Sequence, residues 1–497
     1  MNDVPVKIQF ALISHTNNGK TTLARTLVGV DVGEVRDAAH VTIFAESHVL
    51  LTTKQGDTLH LWDTPGFGDS VRLLRRLAMS GNPIGWFLRE VLDRYRDRAF
   101  WLSQQALRTA RDAADVVLYL VNSAEDPKDA GYLAPEMRIL EWLGKPVVVL
   151  LNQMGPPRPA PQERAEQARW RNHLQQYPLV RDVLALDAFA RSWVHERVFY
   201  EALGKVLGAQ QQAAYARLFA AWEVHNADRF QQAMRLISQQ LDSAAHDSEA
   251  VELEEKSLLK SAMKVVGLGK GGAQKRQEKA MSILVARLNA AIGQATAGLL
   301  ALHKLDSSEA GKINARVREN FLVRAPIDQA QAGLLGAVIS GAATGLSADL
   351  MAGGLTLGAG ALLGSIVGAL TFAGVAWGFN STMDRHLPSV QFSDEFLRAL
   401  AVAAVLRYLA VAHFGRGRGN FIESEAPAFW QREVEQAVAL NIGALTELWQ
   451  ALRAEPDRAR GVGLTQAIIT RIASDTLKQL YPDTVITHFK DHDEQDT

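Results

Sequence analysis

A glycine, a lysine and a hydroxyl stand together at Gly19, Lys20 and Thr21, at the end of the pattern S-x-x-x-x-G-K-T that begins at Ser14. In loops with this spacing, successive backbone N–H groups and a helix N-terminus face phosphate groups, the lysine reaches the β and γ oxygens, and the hydroxyl binds Mg²⁺. Glycine permits the close approach of the backbone to the phosphates. The pattern therefore predicts a site for the phosphates of a nucleotide together with Mg²⁺.

The first position of this loop departs from the usual pattern, because Ser14 stands where glycine is expected. Serine is small, so we expect the loop to bend at some cost in backbone freedom. The other loop residues predicted to bind the nucleotide are Asn17, Asn18 and Thr22. A glycine-containing turn before an ordinary helix is the alternative interpretation, because a single match of this kind also arises by chance.

A second stretch, LHLWDTPGFGD, supports the phosphate site. An apolar strand ends there in Asp63, and Gly66 follows three residues later. A carboxylate at the end of a strand beside a phosphate loop can hold Mg²⁺ through water, and the Gly66 amide can contact a γ-phosphate and respond to its loss. Since both motifs occur in the expected order, we prefer a nucleotide site to coincidence.

The bulk composition limits the classes of protein to consider. A chain of 497 residues exceeds what one hydrophobic core usually organises, so two or three domains are expected. The formal net charge of -1 gives no general reason to expect nucleic acid or an anionic surface as a partner. The absence of cysteine excludes disulfides, thiolate nucleophiles and cysteine metal sites. The first residues show no signal-peptide pattern, so we expect a cytoplasmic protein.

Short β-branched or apolar runs predict strands at 7–13, 49–53, 58–62, 116–121 and 147–151. The last two runs are continuously apolar, which indicates burial on both faces of a parallel sheet flanked by helices. The stretch KTTLARTL predicts a helix directly after the first loop. We therefore expect an α/β domain at residues 1–200, whereas the composition after about Arg158 predicts helices.

Together these motifs resemble those of the Era-like GTPases, the group that includes TrmE and EngA. NNGKTTLARTL is similar to their first motif and LWDTPGFGD to their third, and GEVRDAAHVTIF resembles the first switch. The resemblance implies an α/β P-loop GTPase domain that binds GTP or GDP with Mg²⁺. It implies metal ligands at Thr21, Thr42 and Asp63, and catalytic contributions from Lys20, Thr42 and Gly66. It covers roughly the first 190 residues, and the whole chain resembles a bacterial subfamily in which such a domain precedes a long helical region of unassigned function.

The guanine-reading motif of that family, Asn-Lys-x-Asp, is replaced here by Asn152-Gln153-Met154-Gly155. Asn152 and Gln153 are still expected to bind the nucleotide, but the carboxylate that accepts hydrogen bonds from guanine N1 and N2 is missing at Gly155. Asp187 is a candidate replacement, because VLALDAF lies near the last base-contacting loop. A helix N-cap at Asp187 is an equal alternative, so the preference for guanine over adenine stays open.

The residue after Gly66 is Phe67, where some GTPases carry a glutamine that orients water. An apolar side chain cannot do this. We therefore expect hydrolysis to be slow without a partner.

Two further segments have an ordinary and a functional interpretation. Residues 70–105 have apolar positions at helical spacing, interleaved with arginines, which predicts an amphipathic helix pair or a surface for a partner. GLGKGG at 267–272 satisfies G-x-G-x-x-G but lacks the strand-turn-helix context of a dinucleotide site, so it predicts a flexible joint. Amphipathic helices are predicted at 392–414 and 428–452.

Residues 332–378 are apolar and rich in glycine, with Asp349 as their one ionisable residue. Glycines four residues apart line one helix face and permit the close packing that is common in membranes. Each would destabilise an exposed soluble helix by about 1 kcal/mol. The length suits two helices, each about as long as a 30 Å bilayer core, with Arg324 and Arg385 keeping both ends on the cytoplasmic side. A buried helix pair in a soluble bundle is the alternative.

The predicted organisation is a P-loop GTPase domain at 1–200, a helical region at 201–330, an apolar helical hairpin at 331–380 and a C-terminal helical region at 381–490. The leading hypothesis is an Mg²⁺-dependent GTPase switch at the inner face of the cytoplasmic membrane. It would contact lipid through 332–378 and an unidentified protein partner or a second copy of itself. A nucleotide-binding scaffold with little hydrolysis and a dynamin-like membrane remodeller are the alternatives. Nucleic acid is not expected as a partner, since the basic groups are short and no RNA module is recognisable.

Overall fold

The computed structural model describes residues 4–28, 46–78, 97–155, 158–188, 192–251, 270–305, 377–380, 389–413, 428–454 and 458–482. Several predictions fall wholly or partly outside these residues: Thr42 with the first switch, the middle of the helix pair predicted at 70–105, and nearly all of the apolar stretch 332–378. They stay predictions.

The first part of the chain forms a six-stranded sheet in the order β2-β3-β1-β4-β5-β6. Strand β2 runs antiparallel to β3, and every other neighbouring pair is parallel. The predicted α/β fold with a mostly parallel sheet is thereby confirmed. The strands are β1 (Lys7–Ser14), β2 (Glu46–Thr52), β3 (Thr58–Asp63), β4 (Val116–Asn122), β5 (Val147–Asn152) and β6 (Val180–Ala185).

Helices cover both faces of this sheet. On one face, Leu73, Phe100 and Met137 pack with Tyr119 in an apolar cluster. The opposite cluster includes Leu23, Phe199 and Leu218. Because β4 and β5 are buried on both sides, their sequences are continuously apolar. The helices are α1 (Lys20–Val28), α2 (Ser70–Ala78), α3 (Arg98–Asp112), α4 (Leu133–Leu143), α5 (Ala160–Leu174), α6 (Trp193–Val206) and α7 (Ala209–His246).

Strand β6 corrects the expectation that the chain is helical after Arg158. Its sequence, VRDVLA, contains two charged residues, and four of its six positions are at least partly exposed. It lies at the edge of the sheet. An edge strand has one unpaired side and tolerates charged side chains, so it does not show a continuously apolar run.

Four polar residues lie at the carboxyl ends of strands, or just beyond them, at one edge of the sheet. Ser14 ends β1, Asp63 ends β3, Asn152 ends β5, and Asp187 comes two residues after β6. Parallel strands place their carboxyl ends at the same edge, and ligands of open α/β sheets bind there. The topology therefore brings the sequence motifs together.

The chain divides into two compact units, Met1–Asp228 with Ala412–Glu425 and Tyr481–Thr497, and Arg229–Val411 with Ala426–Leu480. The second unit is mainly helical, as predicted for the region that follows the α/β domain. The domain boundaries predicted at residues 200, 330 and 380 remain predictions. Besides the end of α7, the helices among the described residues after 228 are α8 (Lys270–Leu302), α9 (Asp394–Ala412), α10 (Ala428–Leu440), α11 (Ile442–Ala454) and α12 (Arg458–Leu480).

The second unit also contains a small antiparallel sheet in the order β7-β9-β8, which corrects the prediction of an all-α region. Gly378, expected on a helix face, lies in β8, and Phe392, expected to begin a helix, ends β9. The sequences WGFN and SVQF contain aromatic and β-branched residues, which favour strands. The strands are β7 (Ser248–Ala250), β8 (Trp377–Asn380) and β9 (Ser389–Phe392).

Helix α8 begins at Lys270, so Gly271 and Gly272 of the predicted flexible joint belong to a helix. Within the described part of the chain, the segment Lys279–Leu302 of α8 is long and apolar enough to cross a membrane. Core helices of soluble proteins meet the same criterion, so this segment does not distinguish the two environments.

Candidate nucleotide site

The loop between β1 and α1 requires a left-handed backbone at two positions. Asn17 has φ of 67° and Gly19 has φ of 82°. Asparagine tolerates this region better than most residues, and glycine adopts it freely. A β-carbon on Gly19 would also lie 2.6 Å from Nδ2 of Asn152. Glycine is therefore needed at position 19 for two independent reasons.

Ser14 has a contact that the motif comparison did not anticipate. Among the described residues other than glycine, positive φ occurs at Asn17, Gln153 and Lys304, so the backbone of Ser14 does not need glycine. Its hydroxyl accepts a hydrogen bond from Lys20 Nζ at 2.9 Å and donates to the His15 carbonyl. The serine thus holds the lysine at the centre of the loop.

Lys20 is 7% exposed at the start of α1. Burial lowers its pKa from 10.5 to about 8, while the charges of Asp63 and Glu136 act in the opposite direction. A desolvated ammonium group gains more from an anion than a solvated one does. The position suits a lysine that contacts phosphate.

Thr21 and Asp63 meet next to this lysine. Thr21 Oγ1 donates a hydrogen bond to Asp63 Oδ2 at 2.6 Å. The other carboxylate oxygen, Oδ1, is buried and has no hydrogen-bond partner among the described residues. Burial raises the pKa of Asp63, partly opposed by Thr21 and by the charges of Lys20 and His48. A buried carboxylate with an unused oxygen beside a threonine hydroxyl is a donor set that fits Mg²⁺.

The loop after β3 is attached to the phosphate loop by backbone hydrogen bonds. Phe67 N donates to the Ser14 carbonyl at 2.9 Å, and Thr16 N donates to the Phe67 carbonyl at 3.2 Å. A β-carbon on Gly66 would lie 2.9 Å from Lys20 Nζ and 3.0 Å from Thr16 Cα. Gly66 therefore lies against Lys20 and Thr16, and a larger residue at this position would displace one of them.

Phe67 points away from the site. Its side chain is fully buried and belongs to the apolar cluster beneath the sheet. The side chain at this position therefore packs in the core and presents no polar group to a water molecule.

Asn152 links the end of β5 to the two neighbouring loops. Its Nδ2 donates to the Asn18 carbonyl at 2.8 Å, and its Oδ1 accepts from Ala188 N at 2.9 Å. Gln153 Nε2 donates to the Asn17 carbonyl at 3.3 Å. Asn152 and Gln153 therefore both contact the backbone of the phosphate loop, at Asn18 and Asn17.

Asp187 faces the same region. Its Oδ2 accepts a hydrogen bond from Met154 N at 2.6 Å, and the residue is 7% exposed. Helix α6 has Ser192 as its N-cap, so the alternative role of Asp187 as a helix cap is not observed. The structure thus places a carboxylate against the loop in which Gly155 replaces the usual aspartate.

Asn18 and Thr22, the remaining loop residues predicted to bind the nucleotide, are both buried beside the phosphate loop. The Asn18 side chain donates to the Leu120 carbonyl at 3.2 Å and is buried. Thr22 is buried in the first turn of α1, where its carbonyl accepts a hydrogen bond from Thr26.

No group of three or more His, Asp or Glu residues that could hold another metal occurs in the described ranges.

Sequence reasoning missed His15 and Glu136. His15 lies inside the phosphate loop, and its Nδ1 donates to Glu136 Oε1 at 2.8 Å. Glu136 is fully buried on α4. A signal for its burial existed in the sequence LAPEMRILEWL, because Glu136 lies three residues after Leu133 and four before Leu140 and so shares their apolar helix face.

Two family descriptions match different parts of the chain. Residues 9–153 match the 50S ribosome-binding GTPase family, and residues 171–473 match a domain of unknown function, DUF3482. The first match runs from β1 into the loop after β5 and contains both phosphate motifs. No curated protein matches the chain significantly.

Solved structures with similarity to the chain include a variant of Aquifex aeolicus Era bound to GDP and AlF4⁻, at 18% identity and TM-score 0.30, over 41% of this chain and 57% of that one. Era in complex with MgGDPNP and a piece of 16S ribosomal RNA aligns at 17% identity and TM-score 0.31, over 41% and 58%. The bacterial selenocysteine-specific elongation factor EF-Sec aligns at 15% identity and TM-score 0.27, over 40% and 28%. The chain spans less than two thirds of each of these.

The N-terminal match, the sheet order and the two phosphate motifs agree on a P-loop GTPase domain. The C-terminal match, residues 171–473, covers more than half of the 497 residues. The chain therefore belongs to the DUF3482 family and carries a P-loop GTPase domain in its N-terminal part.

Proposed function

We propose that the protein is an Mg²⁺-dependent GTP-binding switch that hydrolyses GTP slowly. One observation carries this proposal: Thr21 donates to Asp63 at 2.6 Å directly beside the buried Lys20. A hydroxyl, a carboxylate and an ammonium group at the start of a helix are the groups that hold a magnesium–triphosphate chain.

Thr21 and Asp63 would hold the Mg²⁺ ion, together with Thr42. The ion supplies positive charge that neutralises the phosphate oxygens. Lys20 would bind the β and γ oxygens, and the backbone N–H of Gly66 would contact the γ-phosphate. Because Gly66 lies against Lys20, the loss of a γ-phosphate would remove a contact from the phosphate loop and from the loop that contains Gly66.

Guanine would be recognised by Asp187, with Asn152 and Gln153 shaping the loop. The carboxylate of Asp187 already accepts a hydrogen bond from Met154 N, which fixes its direction. A carboxylate can accept several hydrogen bonds, so bonds from guanine N1 and N2 are compatible with this contact. Adenine offers an acceptor at N1 and would be rejected.

Slow hydrolysis follows from the position of Phe67 in the core. The same observation favours the alternative of a scaffold that binds nucleotide but hardly turns it over. Steady-state phosphate release separates the two, measured beside Lys20→Ala and beside Lys205→Ala, an exposed lysine on α6. Release by the wild type equal to that of Lys20→Ala would establish the scaffold.

The magnesium site is tested by measuring GTP affinity with Mg²⁺ and with EDTA. In the wild type, Mg²⁺ should tighten GTP binding by at least about tenfold. Asp63→Asn should lose this effect, whereas Asp129→Asn, an exposed aspartate on a neighbouring loop, should keep it. An Asp63→Asn variant that responds to Mg²⁺ like the wild type would contradict the proposed ligand.

Membrane association through residues 332–378 is a further part of the proposal, supported by their glycine-rich apolar sequence. The protein would lie at the inner face of the cytoplasmic membrane, with a protein partner or a second copy of itself. Full-length protein should float with liposomes in a density gradient, and protein that stays at the bottom would contradict this. Lipid-stimulated hydrolysis with assembly would favour the dynamin-like alternative.

A further inference from the structure

Glu136 on α4 is a fully buried carboxylate that receives three hydrogen bonds from three different elements. His15 Nδ1 donates to Oε1 at 2.8 Å, and Ser70 Oγ donates to the same oxygen. Tyr119 OH donates to Oε2 at 2.6 Å. These donors come from the phosphate loop, the first residue of α2 and the buried strand β4.

The histidine is held in place from a second side. Its ring stacks on Tyr132, with ring centroids 4.4 Å apart and planes 13° apart. Tyr132 OH in turn donates to Glu125 Oε2 at 2.7 Å. The imidazole therefore has little freedom to turn away from Glu136, and the phosphate loop is fastened to the start of α4.

Ser70 fastens the other loop to the same carboxylate. It is buried and begins α2 immediately after the loop that follows Asp63 and contains Gly66 and Phe67. That loop is also joined to the phosphate loop at the bridge between His15 and Phe67. Glu136 and this bridge are thus two attachments between the same pair of loops.

Glu136 acts electrostatically on two nearby groups, Tyr119 and Lys20. Burial and the neighbouring Glu136 carboxylate raise the pKa of Tyr119 well above its usual value, so its hydroxyl remains a donor. The Glu136 charge also favours the ammonium form of Lys20, after that of Asp63. A buried carboxylate is tolerated when hydrogen bonds replace its lost hydration, and the three donors provide them.

We propose that Glu136 is a positioning residue that holds the phosphate loop and the start of α2 in one arrangement, so that the γ-phosphate is bound by both loops together. This inference rests on the proposed function. GDP lacks the γ-phosphate and needs the phosphate loop alone. The contribution of Glu136 should therefore be larger for the triphosphate than for the diphosphate.

The test compares the Kd of the full-length protein for GDP and for a non-hydrolysable GTP analogue, with Mg²⁺. In Glu136→Gln, the ratio of the two Kd values should shift against the triphosphate by about tenfold, because the amide has one neutral acceptor oxygen and cannot accept all three hydrogen bonds that the carboxylate receives. Glu141→Gln changes an exposed glutamate on the same helix and should leave the ratio unchanged. Equal weakening of both nucleotides would show a merely structural role and overturn the proposal.

Ser70→Ala provides a second variant in case Glu136→Gln folds poorly. It removes the attachment to α2 but leaves the bonds of Glu136 to His15 and Tyr119. The same shift of the ratio against the triphosphate, by about fivefold, is expected, and an unchanged ratio would contradict the proposal. Failure of the wild type to bind either nucleotide would instead refute the proposed function, so the two failures are distinguishable.

Discussion

Raising the pH above about 8 should weaken nucleotide binding, because Lys20 in the nucleotide-free protein loses its proton there. Burial lowers the pKa of this lysine from 10.5 to about 8. The difference of about 2.5 in pKa corresponds to about 3 kcal/mol by which the free site disfavours the ammonium form. A bound phosphate chain favours that form, so the pKa in the complex should rise again.

The direction of the pH effect follows from the charge of Lys20 in the free protein and in the nucleotide complex. Below a pH of about 8 the lysine is charged in both the free protein and the complex, so the affinity should be level. Above this pH the free protein must take up a proton on binding. At a pH of about 9 the affinity should be about tenfold lower than at about 7.5, and at about 8.5 binding should take up about three quarters of a proton.

Isothermal titration calorimetry of GTP, repeated in two buffers with different enthalpies of protonation, measures both quantities. Lys20→Arg is the control, since its guanidinium stays charged throughout this range. Any titration of the guanine ring affects both proteins alike and cancels in the ratio of their affinities. A wild-type affinity that falls no more than that of Lys20→Arg, without proton uptake, would show that deprotonation of the buried lysine does not control binding.

Three other substitutions test separate parts of the molecule. Gly19→Ala should abolish detectable GTP binding and lower the free energy of unfolding by about 2 kcal/mol, because φ is 82° and the new β-carbon would lie 2.6 Å from an amide nitrogen of Asn152. Asp187→Asn should weaken GTP by about tenfold or more and improve binding of xanthosine triphosphate, since an amide can donate to the carbonyl that replaces the 2-amino group. Arg217→Met should reduce the acid sensitivity of the α/β unit. Arg217 holds the pKa of the buried Asp57 low, so the wild type has a stabilising contribution above a pH of about 4 that is lost as the pH falls.

Gly19→Ala has a matched control, and a contradicting result can be stated for each of the other two substitutions. Gly131→Ala adds a β-carbon with no atom within 4 Å and should be neutral. Nucleotide selectivity of Asp187→Asn equal to the wild type would remove this carboxylate from base recognition. Denaturant titrations at several pH values measure the Arg217→Met effect. An equal loss of stability on acidification in wild type and variant would contradict the role of the ion pair.

Much of the α/β unit could be predicted because its signals are local. Continuous apolar runs predicted β4 and β5, and the phosphate motifs carried their own strand and helix context. Strand β6 was not predicted because an edge strand needs no continuous apolar run. The three-stranded sheet was not predicted because its strands have three to four residues each, too few for a clear pattern, and because β7 pairs with β9 across about 140 residues of chain.

The candidate site shows the same division between local and long-range information. The spacing of Lys20 and Thr21 fixed their positions on α1, and the strand order then brought Asp63 to Thr21. The bond from Lys20 to Ser14 needed coordinates, because the motif treats that position as a place for glycine. The contact of Glu136 with His15 joins residues 121 positions apart, and no local pattern encodes it.

A GTP site at Lys20 is tested most directly by a calorimetric titration of GTP and ATP into the full-length protein and into Lys20→Ala, with Mg²⁺ present. We predict saturable binding of GTP to the wild type, weaker binding of ATP, and loss of GTP binding in the variant. Absence of heat with either nucleotide in the wild type, or equal GTP affinity in Lys20→Ala, would contradict it.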